Sequence, residues 1–212
     1  MEKFTTLDAV AVPIEGVNVD TDQIVPARYL RTPRKQGYGD FLFRDLRFDS
    51  AGRPIEGFPL NLPGFAGAAI LVGNANFGCG SSREAAVYAL RDFGIRCVIA
   101  PSMGDIFYNN CLKNAVLPIR LPDAVAAALR QALRAAPGAR VAVDLPAQQV
   151  TFPDGQRHRF EIDALSKRCL IEGLDEIALT RTYASNIADF ARNHRQRQPW
   201  LFGAGARPDG TA

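Results

Sequence analysis

The chain of 212 residues has only two histidines, His158 and His194, and its four cysteines, at 79, 97, 111 and 169, are widely spaced. With no Cys-x-x-Cys pair and no close cluster, the pattern argues against a zinc site and against an iron–sulfur cluster held wholly by this chain. Cys97 reads as a buried strand thiol, and Cys111 and Cys169 as core residues. No apolar run approaches the roughly 18 residues that a membrane span needs. The first six residues carry no apolar signal core, so the expectation is a cytoplasmic chain that is not exported. Charge of one sign is also lacking. Lys and Arg total 25 against 22 Asp and Glu, and the net +3 is too small and dispersed to point to nucleic acid. Repeats and low-complexity tracts are absent.

What remains is an ordinary globular composition, 47% hydrophobic and 22% charged, long enough to bury a real core. Strands are expected over 5–12, 68–72, 95–100 and 116–121, and helices over 81–93, 104–113 and 123–135. That β–turn–α–β–α–β alternation implies parallel strands with helices on the faces. Three more strands follow over 140–145, 149–152 and 157–162, with Asp154 and Gly155 forming a hairpin turn. Helices over 163–172, 174–179 and 183–195 complete the chain. The long irregular stretch 26–63, rich in Gly, Pro, Arg and aromatics, reads as a functional or mobile loop. We expect one domain over 1–200, with the mobile loop at about 27–63, and a loose tail over 201–212.

The most informative residues are Asn76, Phe77, Gly78, Cys79, Gly80, Ser81, Ser82, Arg83 and Glu84. Gly78 and Gly80 permit positive φ and close approach of a bound group. Ser81 and Ser82 fall where a helix begins, and there free N–H groups and the helix dipole favour an anion. The turn follows a strand, the place where open α/β sheets hold their ligands. Arg83 has the planar fork that bonds both oxygens of a carboxylate. Ser82 is either a helix cap or a hydrogen-bond donor to substrate. Glu84 complements the dipole. Both histidines are remote from the turn in sequence and are expected at the surface.

Together with residues 18–26 (Asn-Val-Asp-Thr-Asp-Gln-Ile-Val-Pro) and 97–107 (Cys-Val-Ile-Ala-Pro-Ser-Met-Gly-Asp-Ile-Phe), this turn closely resembles the small subunits of 3-isopropylmalate dehydratase, a family of the aconitase superfamily. The resemblance runs in order from about Leu7 to Tyr183. It implies an α/β fold, the swivelling β/β/α domain of that superfamily, with a mainly parallel central sheet and flanking helices. In two-subunit members this domain is a separate polypeptide.

The resemblance further implies that no cofactor sits on this chain. A [4Fe–4S] cluster is expected on a partner large subunit, where it acts as Lewis acid on the substrate hydroxyl. By motif, Ser81 is the base and Arg83 the carboxylate-binding partner, with Gly80 and Ser82 beside the substrate. A serine alkoxide is a plausible base only where backbone N–H groups, a helix N-terminus and an arginine stabilise it away from water. Asp22 matches a superfamily aspartate and either orients Ser81 or Arg83 or forms a turn. Arg31, Arg34 and Lys35 fall in the family's specificity loop as candidates for a substrate carboxylate, and Tyr29 and Leu30 could face an isopropyl group. One position departs from the family pattern Ser-Ser-Arg-Glu-His: residue 85 is Ala.

The activity so implied is isomerisation of 2- and 3-isopropylmalate by dehydration and rehydration, in leucine biosynthesis. Alternatives are a related hydro-lyase acting on homoaconitate, citraconate or a dimethylmalate, an anion- or nucleotide-binding module, or an RNA-binding remnant. The nucleotide module is disfavoured because no P-loop lysine or ribose-binding acid follows the turn. The basic stretch 28–47, interleaved with Tyr29, Tyr38 and Phe41, is the feature an RNA binder would use, though small carboxylates explain it equally well.

Overall fold

The computed structural model describes residues 1–202. They group into a larger unit, Met1–Leu174, and a smaller one that starts at Asp175, whereas the sequence expectation drew its boundary at 200.

In the larger unit, β1 (Thr6–Pro13), β2 (Ile70–Val72), β3 (Cys97–Ala100) and β4 (Leu117–Arg120) lie parallel, in the spatial order β4-β3-β2-β1. Beyond β1 the sheet continues through β5 (Arg140–Asp144), β6 (Gln149–Thr151) and β7 (Arg157–Arg159), all antiparallel to their neighbours. The seven-stranded sheet is therefore mixed. Connections of four or five residues after β5 and β6 can close only antiparallel pairs, while the helical crossovers between β2, β3 and β4 allow parallel ones. β1 joins the halves by splitting its length. Thr6 to Val10 pair with β5, and Ala11 to Pro13 pair with β2.

Four helices cover this sheet, after two single-turn helices, α1 (Thr21–Ile24) and α2 (Arg44–Arg47): α3 (Glu84–Phe93), α4 (Asp105–Lys113), α5 (Asp123–Ala135) and α6 (Ala164–Glu172). Successive strand residues point to opposite faces. Val12, Leu71 and Val98 join Ala86, Val87 and Leu90 of α3 and Cys111 of α4. Ala11, Ile70, Cys97 and Leu117 join Leu129 and Leu133 of α5 and Leu170 of α6. Burial on both faces explains why the parallel strands read as unbroken apolar runs. Cys97 and Cys111 are fully buried, which pushes both thiols well above their usual pKa, and Cys169 is only half-buried.

The irregular stretch is a string of single helical turns rather than open loop. Its Tyr38, Leu42, Phe43 and Leu60 are buried in the same cluster as α3. The Tyr38 amide donates to Asp92 Oδ2 at 2.9 Å, fastening the stretch to α3.

The smaller unit contains α7 (Glu176–Arg181), capped by Asp175, and α8 (Ala184–Arg197), on which His194 stacks against Phe190 at 5.4 Å. Residues 203–212, most of the expected tail, lie outside the described residues. No helix among the described residues is long and apolar enough to cross a membrane.

Candidate active site

At the carboxyl ends of β1, β2 and β3 the chain leaves the sheet in three turns that hold one another by backbone hydrogen bonds. The middle turn, 73–83, carries the serines. On one side Gly78 N donates to Val19 O at 2.7 Å and Thr21 N to Cys79 O at 2.9 Å. On the other, Phe77 N donates to Ser102 O and Gly104 N to Phe77 O, both at 3.0 Å. Side chains reinforce the first seam, with Asn76 Nδ2 donating to Asn18 Oδ1 at 2.9 Å.

Gly78 shows why the turn needs glycine. Its φ is +70°, and a Cβ there would come 2.2 Å from the Phe107 ring. Gly80, at φ +88°, lies against Asp20 and Thr21, where a Cβ would meet Asp20 Cβ at 3.3 Å.

The helix expected over 81–93 begins only at Glu84, because the chain is still extended at Arg83 (φ −122°, ψ 103°). Neither serine caps it, and Arg83 is the residue before the first turn rather than inside it. That removes the capping alternative for Ser82. Ser81 and Ser82 are exposed, while the Arg83 side chain is 19% exposed and ion-paired to Asp22 Oδ1. Turn formation belongs instead to Asp20, whose carboxylate accepts from Gln23 N at 2.7 Å to cap α1. Asp22 is thereby free to orient Arg83. Glu84 stands in the first turn of α3 and accepts from Asn114 Nδ2 at 2.7 Å.

A cavity of about 350 Å³ opens here, lined by Thr21, Gly80, Ser81, Arg83, Asp105 and Ile106 among others. The sequence reading assigned no role to Thr21, Asp105 or Ile106. The signal was their place at the ends of β1 and β3, beside the turn that follows β2. Asp105 is turned outward to Arg120 Nη2 at 3.2 Å. A larger cleft of about 760 Å³, between Arg120 and the residues after β7, includes Tyr108, Arg159 and Glu161 but nothing from the glycine turn. Burial raises the Tyr108 pKa above the ordinary phenol value.

The loop candidates stand apart from the cavity. Arg34 donates to Asp92 Oδ1 at 3.3 Å and lies 3.5 Å over the Tyr88 ring, so α3 occupies it. Tyr29 stacks on Phe41 at 4.2 Å, while Leu30, Arg31 and Lys35 are exposed. Ala85 packs against the α3 cluster and does not line the cavity. Both histidines are half-buried rather than on the surface, the His158 ring lying 4.3 Å from Phe152 with its Nε2 without a hydrogen-bond partner.

No group of three His, Cys, Asp or Glu among the described residues is placed to hold a metal ion.

The family model described as the aconitase C-terminal domain matches residues 1–124, which hold the parallel strands and the serine–arginine turn. A second model, described as LeuD_N, matches residues 127–164. The 3-isopropylmalate dehydratase small subunit of Roseobacter denitrificans is 48% identical over 201 residues, 95% of this chain and 100% of that one. The protein of the same name from Paramagnetospirillum magneticum is 49% identical with the same coverage. The chain belongs to the family of 3-isopropylmalate dehydratase small subunits. Among solved structures, a 3-isopropylmalate dehydratase from Methanocaldococcus jannaschii is 26% identical with a TM-score of 0.63, covering 87% of this chain and 98% of the other.

Proposed function

We propose that this chain is the small subunit of a 3-isopropylmalate dehydratase, a hydro-lyase that interconverts 2- and 3-isopropylmalate in leucine biosynthesis. It works in the cytoplasm with a large subunit that carries the [4Fe–4S] cluster. The observation that carries this reading is the pairing at the cavity, where exposed Ser81 follows a glycine turn and Arg83 is held by Asp22. Ser81 Oγ takes the carbon-bound proton of the substrate and returns it to the opposite position of the alkene on rehydration. Arg83 holds a substrate carboxylate with its fork and lowers the cost of negative charge beside Ser81. The bound cluster supplies a Lewis acid for the departing hydroxyl.

Electrostatic stabilisation of an alkoxide needs a site closed to water. Ser81 is exposed in this chain, so a second surface must cover it, which supports the two-subunit reading. The test is reconstitution with the cognate large subunit under anaerobic conditions, followed by assay on 2-isopropylmalate, citraconate, dimethylmalate and homoaconitate. Fastest turnover of 2-isopropylmalate is expected. Preference for another of these acids moves the reading to that hydro-lyase, and hydration by this chain without partner or iron overturns it.

A further inference from the structure

Thr21, 2% exposed, is one of two buried polar or charged residues among the described residues, and its hydroxyl reaches the serine turn. It opens α1, whose single turn is fixed by a reciprocal cap between Asp20 and Gln23. From that fixed base Thr21 makes two bonds across 58 and 60 residues of sequence. Its amide donates to Cys79 O and its hydroxyl Oγ1 donates to Ser81 O, each at 2.9 Å. The two carbonyls flank Gly80, which sits at φ +88° and has the wide conformational freedom of a glycine. Ser81 itself is exposed at the edge of the cavity. The backbone sets where the Ser81 Cα–Cβ bond, and with it each staggered position of Oγ, can lie, and Thr21 holds that backbone on both sides of the glycine.

We propose that Thr21 is a positioning residue for the reaction, its hydroxyl fixing the Ser81 peptide so that Oγ stays aimed at the carbon-bound proton. This rests on the reading of Ser81 as the base. Base catalysis is sensitive to such placement, since a misplacement of about 1 Å can cost roughly 100-fold in rate.

Thr21→Val keeps the branched shape and removes only the donor, whereas Thr21→Ser keeps the donor and removes a methyl. In the reconstituted complex, Thr21→Val should lower kcat roughly 10- to 100-fold with KM nearly unchanged. With substrate deuterated at the carbon that loses its proton, the isotope effect on kcat should rise as proton transfer becomes slower. Thr21→Ser should restore both values. Amide hydrogen exchange on this chain alone gives a readout independent of turnover. Residues 79–83 should exchange faster in Thr21→Val and at the wild-type rate in Thr21→Ser.

Unchanged exchange and kcat in Thr21→Val would overturn the proposal. So would equal impairment of both variants, because the methyl packing and not the hydroxyl would then matter. A lower kcat with an unchanged isotope effect would mean lost active complex and also count against it. Near-normal turnover by Ser81→Ala would sink the base assignment, while the exchange measurement would still judge the clamp.

Discussion

Two irregular regions meet α3, and they are held in opposite ways. The serine turn, 73–83, is fixed chiefly by backbone hydrogen bonds to the turns after β1 and β3. The stretch 27–63 is fixed chiefly by side chains: Tyr38 and Phe43 are buried, Arg34 lies on Tyr88 and Asp92, and Arg28 pairs with Asp45. Backbone bonds leave side chains free, so Ser81 can be both well placed and exposed. A region cemented by its own arginines has committed them to structure. Arg34, which the family resemblance suggests for substrate, is an example.

The contrast is tested most strongly by Ser81→Ala. Loss of the proposed base should lower kcat by about 10²- to 10⁴-fold with little change in KM. The melting temperature should stay put, since Ser81 is exposed. Near-normal turnover in an intact complex would remove Ser81 from the mechanism.

Gly78→Ala attacks the turn's backbone rather than its chemistry. The added Cβ would run into the Phe107 ring at a positive φ, so a destabilisation of about 2–4 kcal/mol is expected. Denaturant unfolding of the isolated chain measures it, and a loss no larger than that of an exposed-loop substitution would contradict the packing described.

Asp22→Asn leaves Arg83 charged but loosens it. KM for the dicarboxylate should rise about tenfold, on the scale of 1.4 kcal/mol for a lost charge-assisted contact. Steady-state kinetics with an unchanged KM would reduce Asp22 to a surface carboxylate.

Arg34→Ala should do the reverse of Asp22→Asn, lowering the melting temperature slightly through lost stacking on Tyr88, about 1 kcal/mol, with KM unaffected. A marked rise in KM would return Arg34 to the substrate site and break the contrast between the two regions.

The smallest effect concerns pH. The hydrogen bond from Arg28 holds the Asp45 carboxyl below its usual pKa. Its folded pKa is thus below its unfolded one, so the pair's stabilisation is present above the ordinary carboxylate range and fades as pH falls through the folded value. Asp45→Asn should slightly flatten the acid limb of a melting-temperature profile. Both side chains are more than half exposed, so the change should be near the limit of measurement.

The sequence by itself determined the order of strands and helices, because apolar periodicity and Gly or Pro breaks are local signals. α5 was read residue for residue over Asp123–Ala135, and the other expected elements differ from their limits by up to three residues at an end, while α1, α2 and the single turns of 27–65 had no such signal. It also determined the serine–arginine turn, since glycines beside hydroxyls and a guanidinium form a contiguous motif. Only the tertiary structure decided that α3 starts three residues later than its pattern suggests, because bonds from Val19 and Thr21 hold the preceding turn off the helix. It also decided that Asp22 pairs with Arg83 rather than only forming a turn, and that Thr21 reaches Ser81. Those partners lie about 60 residues apart, and no local pattern encodes a contact formed only when parallel strands bring their carboxyl ends side by side.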